Sequence, residues 1–162
     1  MIFITVGSQK FQFNRLLKMV DYLIEQNYIQ EEIFAQIGVS DYLPKHFKYN
    51  RYLNRDEFQH YQDKADLVIT HSGTGSIVGA LKKRKKVIVV PRYQEFNEHV
   101  DNHQLEIAEE FKNRNLVTVC LKNDSLFDCI NFSKSHEFYT YQSNRKRVIS
   151  NIEKYITNNF KG

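Results

Sequence analysis

The chain has 162 residues, 41% of them hydrophobic, and carries 23 Lys and Arg against 19 Asp and Glu for a net charge of +4. That length buries roughly two-thirds of the unfolded surface, so one domain over residues 1–162 is expected, with no need of a disulfide framework. No apolar run approaches the roughly 18–20 residues that cross a bilayer, and the mild charge does not by itself argue for a nucleic-acid binder.

Ile2-Phe3-Ile4-Thr5-Val6 predicts a first strand, closed by Gly7-Ser8. It begins without a basic leader or cleavage site, so no signal peptide is expected. A helix is predicted over 13–27, a strand over 33–37, a weaker strand near 47–53 and a helix over 55–64. Leu67-Val68-Ile69-Thr70 predicts the next strand. It breaks into His71-Ser72-Gly73-Thr74-Gly75-Ser76, after which a helix is expected over 76–83. A strand at 87–90 ends at Pro91, which opens a polar and aromatic loop. A helix over 101–114, a strand over 116–121 and helices over 124–132 and 144–160 complete the pattern. Strand and helix alternate, which predicts an α/β, Rossmann-like, mostly parallel sheet with helices on both faces. Ligands of such folds lie outside the carboxyl ends of the strands. The ends at Thr5-Val6-Gly7-Ser8 and Thr70-His71 would then face one crevice.

The turn from Ser72 to Ser76 has the composition of a phosphate seat. Free N–H groups at a helix start favour an anion, and glycines let a diphosphate approach the backbone. Ser72, Thr74 and Ser76 add hydroxyl donors. The dinucleotide fingerprint would require glycine at 78, where Val78 stands, and the triphosphatase loop would require Gly-Lys-Ser/Thr; neither pattern is met. A glycine turn without a ligand therefore stays open as an alternative.

The run Lys82-Lys83-Arg84-Lys85-Lys86 either complements a helix C-terminus or contacts anionic lipid. It is not interleaved with aromatics and no nucleic-acid motif accompanies it, so nucleic acid is not an expected partner. His99 and His103 stand four apart, but a zinc-protease site would need Glu where Val100 stands. There is no Asp-x-Asp pair either, so no metal or other cofactor is expected. Cys120 and Cys129 lack metal or redox spacing and are expected to be inert buried thiols in a reducing cytosol.

Thr5-Val6-Gly7 with Phe13 and Leu16, the turn His71-Ser72-Gly73-Thr74-Gly75-Ser76, and Val89-Val90-Pro91 with Glu98-His99-Val100-Asp101-Asn102-His103-Gln104 together resemble the carboxyl-terminal domain of family 28 glycosyltransferases. More closely, the chain is similar to the small soluble subunits of two-component enzymes. These include the eukaryotic transferase that adds the second N-acetylglucosamine to dolichyl diphosphate, and bacterial capsule or exopolysaccharide galactosyl- and glucuronosyltransferases. The resemblance covers most of residues 1–110.

The resemblance implies half of a GT-B glycosyltransferase, the half that grips a UDP-sugar. UDP-galactose, UDP-glucuronic acid and UDP-N-acetylglucosamine are the donors it implies. The implied partner is a membrane-associated subunit that binds a lipid-linked saccharide acceptor, which would hold this chain at the cytoplasmic, inner face of the membrane. The isolated chain would have little activity, and its exposed apolar surface would favour self-association into a homo-oligomer.

On this reading Gly73, Thr74, Gly75 and Ser76 receive the diphosphate, and Gly7-Ser8 close the opposite wall. His71 either donates to a phosphate or sugar oxygen or is a core histidine bonded to a carbonyl. Glu98, Asp101, His103 and Gln104 are candidates for hydroxyls of the donor sugar or ribose, with Gln104 the most specific match. His71 and Glu98 are the candidates for catalysis, and no general base is assigned. Two departures stand out: Gly79 and Ala80 lie where many relatives hold the ribose with an acidic residue, and Arg84 lies where relatives often have glycine. Two other functions remain open: a UDP-sugar hydrolase or epimerase-like enzyme, and a UDP-sugar sensor or scaffold without chemistry, the latter favoured by the missing acid near Gly79. The apolar stripe Val148, Ile149, Ile152, Tyr155, Ile156, Phe160, or the segment Phe138-Tyr139-Thr140-Tyr141, would either pack on the sheet or dock the membrane subunit.

Overall fold

A computed structural model describes residues 1–101 and 103–143. Six strands form one parallel sheet: β1 Ile2–Thr5, β2 Ile33–Gln36, β3 Lys48–Asn50, β4 Leu67–Thr70, β5 Lys86–Val89 and β6 Thr118–Val119, in the order β3-β2-β1-β4-β5-β6. Five helices connect or follow them: α1 Asn14–Glu25, α2 Arg55–Lys64, α3 Thr74–Lys82, α4 His103–Asn113 and α5 Leu126–Ser135. At the C-terminal edge, Asn50, Gln36, Thr5, Thr70, Val89 and Val119 stand in one row across the six strands.

The central strands are buried along their whole length, as parallel strands covered on both faces must be. Their side chains alternate. Ile2 and Ile4 point into a core shared with Leu16, Leu17 and Val20 of α1 and Ile130 of α5, whereas Phe3, Val68 and Val87 point into a second core with Ile77, Ala80 and Leu81 of α3 and Ala108 of α4. Phe34 stacks on Tyr61 at 3.6 Å, and Phe3 meets Phe58 edge-on at 5.2 Å, fastening α2 to that second face. α2 begins with a full capping box, Asn54 and Glu57 each accepting the other's N–H.

The predicted strand at 116–121 contracts to two residues because the chain is still leaving α4. Asn115 takes a left-handed φ of 51° and Leu116 N–H closes on Phe111 carbonyl. α3 begins at Thr74, two residues earlier than expected, with Gly73 as its N-cap. Arg84 has φ of 57° at the C-terminal end of α3, a left-handed conformation in which glycine is favoured. Cys120 and Cys129 are both buried free thiols; the contact with Cys129, and after it burial, pushes the Cys120 thiol up. The predicted helix at 144–160, with its apolar stripe, lies outside the described residues. Of the aromatic segment before it, Tyr139 is exposed and Tyr141 packs against the second core. Among the described residues no helix is long and apolar enough to cross a membrane.

Candidate functional site

β1 and β4 are neighbours in the sheet but far apart in sequence, and the chain runs outward from them in opposite directions. That is the topological switch point, where open parallel sheets leave a crevice beyond the strand ends. The turn after β1 and the turn after β4 form its two lips.

His71 follows β4 directly and is 6% exposed. Its ring lies between two glycines. A Cβ on Gly7 would come within 2.5 Å of the His71 Cε1, and one on Gly73 within 2.3 Å of its Nε2. Gly7 also has a φ of 79°, which side chains rarely adopt. Both glycines are therefore demanded by the imidazole they enclose. Burial, and secondarily the Arg92 cation, pushes His71 down to about 4, against a bond to the Thr5 backbone that favours the proton. Near neutral pH the ring is uncharged.

α3 presents its N-terminus to the same crevice. Gly73 supplies no side-chain cap, the first turn holds no acidic residue, and Ile77 N–H is the first to close on Gly73 carbonyl. The N–H groups ahead of it need a partner from outside. Gly75 differs from the other two glycines: a Cβ there would meet nothing within 4 Å. The space over Gly75 is open. Ser72 Oγ is buried with no hydrogen-bond partner among the described residues. Thr74 is exposed, Ser76 half-buried, and Ser8 lies exposed just past Gly7.

The other predicted residues serve different ends. Glu98 is fully buried, and its carboxylate already accepts three hydrogen bonds: Arg15 donates to Oε1 and Oε2, each at 3.0 Å, and Tyr93 N–H donates to Oε2 at 3.1 Å. In this arrangement the carboxylate is turned to Arg15 and Tyr93 and away from solvent. Gln104 is 6% exposed, and its Oε1 accepts from Arg92 N–H at 3.2 Å, so only its amide N–H2 remains to donate. Asp101 Oδ1 accepts from His103 N–H at 3.0 Å, which holds the carboxyl below its usual range and tidies the start of α4. His103 is exposed and its Nδ1 lies 2.9 Å from Glu106 Oε2, while His99 pairs with Asp101. The two histidines are thus tied to separate carboxylates, and among the described residues no three His, Cys, Asp or Glu side chains gather as a metal site would need.

Gly79 faces α2 instead of the crevice, its missing Cβ 3.5 Å from Gln62 Nε2, and Ala80 is fully buried. The basic run is at the far end of α3 and is put to structural use. Lys83 pairs with Asp63, Lys85 Nζ donates to Asp63 carbonyl, and Lys86 Nζ to the carbonyls of Lys134 and His136. Arg15 and Arg92 are additions that the sequence did not single out. Arg92 is 0% exposed, and burial pushes its guanidinium down to about 10.

Comparison with known proteins gives the arrangement a lineage. The family model described as Glycosyltransferase family 28 C-terminal domain matches residues 1–158. The UDP-N-acetylglucosamine transferase subunit ALG13 of Kluyveromyces lactis is 33% identical over 106 residues, covering 59% of this chain and 52% of that protein. The human protein of that name is 30% identical over 128 residues, covering 74% of this chain and 11% of that one. The chain thus spans about half or less of these curated relatives. A solution structure of ALG13 superposes with a TM-score of 0.58 at 18% identity over 93% of both chains. Acinetobacter baumannii MurG superposes at 0.57 and 16% identity, over 93% of this chain and 49% of that one. At such identities the likeness speaks for the fold. The family match, spanning nearly the whole sequence and both lips of the crevice, settles membership: this chain belongs to the glycosyltransferase family 28 C-terminal domain family.

Proposed function

We propose that this chain is the donor-binding subunit of an inverting UDP-sugar glycosyltransferase, with its site at the β1–β4 crevice. The observation that carries this is the uncapped N-terminus of α3 at the switch point, with open space above Gly75 and the unpartnered Ser72 hydroxyl beside it. A diphosphate supplies what those groups lack. The relatives' names favour UDP-N-acetylglucosamine as donor. UDP-galactose and UDP-glucuronic acid, with a capsule or exopolysaccharide product, are the finer alternatives.

In the reaction an acceptor hydroxyl attacks the anomeric carbon, and UDP departs with its bonding electrons. Negative charge grows on the leaving phosphate as that bond breaks. Fixed N–H donors of the α3 first turn stabilise that charge without reorganising, so they act more strongly on the transition state than on the ground state. The dipole end takes the part that a divalent ion plays elsewhere, and binding in EDTA is expected. His71, uncharged and enclosed, is a wall of the site; with a conjugate acid near 4 it is a poor base at neutral pH. The base belongs with the acceptor, on a membrane-associated subunit that presents a lipid-linked saccharide and keeps this chain at the cytoplasmic face.

Calorimetric titration with UDP, the three UDP-sugars and NAD in EDTA, for the wild type and Gly75→Asp, tests the donor role. UDP-class binding that the variant loses supports it, and the sugars are ranked by affinity. Binding of NAD in preference to UDP refutes it. Co-expression with a membrane subunit then separates an enzyme from a sensor or scaffold: transfer to a lipid-linked acceptor is expected only with both chains present.

A further inference from the structure

The loop after β5 is held at three successive residues by side chains from elsewhere. Arg15 Nη2 donates to Pro91 carbonyl at 2.8 Å, Gln104 Oε1 accepts from Arg92 N–H, and Glu98 Oε2 accepts from Tyr93 N–H. Glu98 and Arg15 are in turn locked to each other in a two-point pair, the geometry in which a guanidinium and a carboxylate bind most firmly. This frame aims one side chain. Arg92 runs from the end of β5 past the end of β4 to β1, where its Nη2 donates to Val6 carbonyl at 2.6 Å. Its Nη1 lies 3.5 Å from Glu98 carbonyl and its Cζ 5.1 Å from the centroid of the Phe13 ring.

Burying a guanidinium is costly unless its charge and donors are matched. Here the match is the Val6 carbonyl, a longer contact to the Glu98 carbonyl, an aromatic face and a carboxylate already given to Arg15, and Arg92 Nε has no hydrogen-bond partner among the described residues. The carbonyl it holds belongs to the residue before Gly7. Gly7 is in turn the left-handed turn that encloses His71 opposite Gly73, one residue from α3. The Val6 carbonyl is therefore next to the turn that forms one lip of the crevice.

We propose that Arg92 is a positioning residue of the donor site: by holding the Val6 carbonyl it fixes the Gly7 lip and the His71 ring against it, and so the gap to the α3 N-terminus. The role rests on the donor reading of the crevice for its purpose, but its structural half stands by itself. Two ligand-free signals report it. The Gly7 N–H donates to Thr5 Oγ1 at 3.3 Å, so its hydrogen exchange registers loosening of the lip. The His71 ring signals in NMR register its enclosure; the groups that face it are the Arg92 cation, His99, the Thr70 hydroxyl and the Thr5 backbone.

Arg92→Met removes charge and fork; Arg92→Lys keeps the charge but loses the fork, and is the variant to read if the first does not fold. In both, Gly7 exchange should accelerate at least about tenfold, the scale of losing one charge-assisted bond. His71 should titrate closer to its ordinary range in Arg92→Met and less so in Arg92→Lys. UDP affinity should fall about tenfold in either, by a weaker donor KM more than by a lower kcat in the assembled enzyme. A folded variant with unchanged Gly7 exchange and His71 signals overturns the proposal. So does one in which both signals move while UDP affinity stays within about twofold, since Arg92 then serves the fold alone. If the wild type itself binds no UDP, the donor reading fails separately, and the two ligand-free signals still decide whether Arg92 sets the lip.

Discussion

Three glycines line the crevice, and the structure assigns them opposite tolerances. Alanine at 73 would set its methyl 2.3 Å from His71 Nε2, 2.8 Å from Cε1 and 3.1 Å from Cδ2. The ring has little retreat, because on the other side it already occupies the room a Cβ of Gly7 would take, its Cε1 2.5 Å from that position. Overpacking of that kind costs about 1–3 kcal/mol, and each kcal/mol lowers the melting temperature by about 2–4 °C in a chain of this size. Alanine at 75 meets nothing and replaces a helical glycine, which favours folding by about 0.5–1 kcal/mol. On the proposed donor role it also fills the space a diphosphate would take. Gly75→Asp adds a carboxylate that the α3 dipole welcomes and a phosphate does not. Thermal unfolding paired with UDP calorimetry therefore separates the two positions. Gly73→Ala should melt earlier than wild type, whereas Gly75→Ala should melt no earlier and bind UDP at least about tenfold more weakly, about 1.4 kcal/mol. Undiminished UDP binding by Gly75→Ala and Gly75→Asp would refute the diphosphate's position.

Glu98→Gln keeps the shape of the side chain but leaves Arg15 facing an amide; losing one partner of a buried ion pair costs about 3–5 kcal/mol. Urea unfolding should register that loss, and a variant of wild-type stability with a raised donor KM would return Glu98 to the list of sugar ligands. His71 carries a stability that depends on pH. Its folded value of about 4 lies below the ordinary 6.5, so between these the unfolded chain binds a proton that the folded chain refuses. Stability from this group is complete above pH 6.5 and falls as pH drops towards 4, by about 3 kcal/mol in all. His71→Gln should flatten that part of the urea-derived stability profile, and identical profiles for the two proteins from pH 4 to 6.5 would count against the enclosed neutral ring.

The fold was legible because its signals are local. Apolar runs of strand length alternate with helical stretches, and all six strands and five helices of the described residues fall within a few residues of where the pattern puts them. The boundaries moved where backbone geometry outvoted composition. Hydrophobicity marks Leu116 and Val117 as strand, but their chain is still closing α4 through the left-handed Asn115, and β6 itself is confined to Thr118–Val119. The turn at Gly73 to Ser76 was legible for the same reason: strand, glycine turn and helix start are consecutive in the chain.

What stayed hidden depends on pairs that the sequence separates. Glu98 and His71 have the chemistry of catalytic groups, and nothing near them in sequence argues otherwise. Glu98 meets Arg15 across 83 residues, and Arg92 meets Val6 across 86. Those pairings turn an acid into a strut and convert a charge that composition assigns to the surface into the tie between two strand ends. His71 is the instructive case, because its surroundings are two absences of side chain, at Gly7 and Gly73, brought together only by the sheet. A glycine that reads as freedom for a ligand can instead be room for a neighbouring ring. Of the three, Gly75 is the one with open space where a Cβ would stand, so the proposed diphosphate position is tested there and not at Gly7 or Gly73.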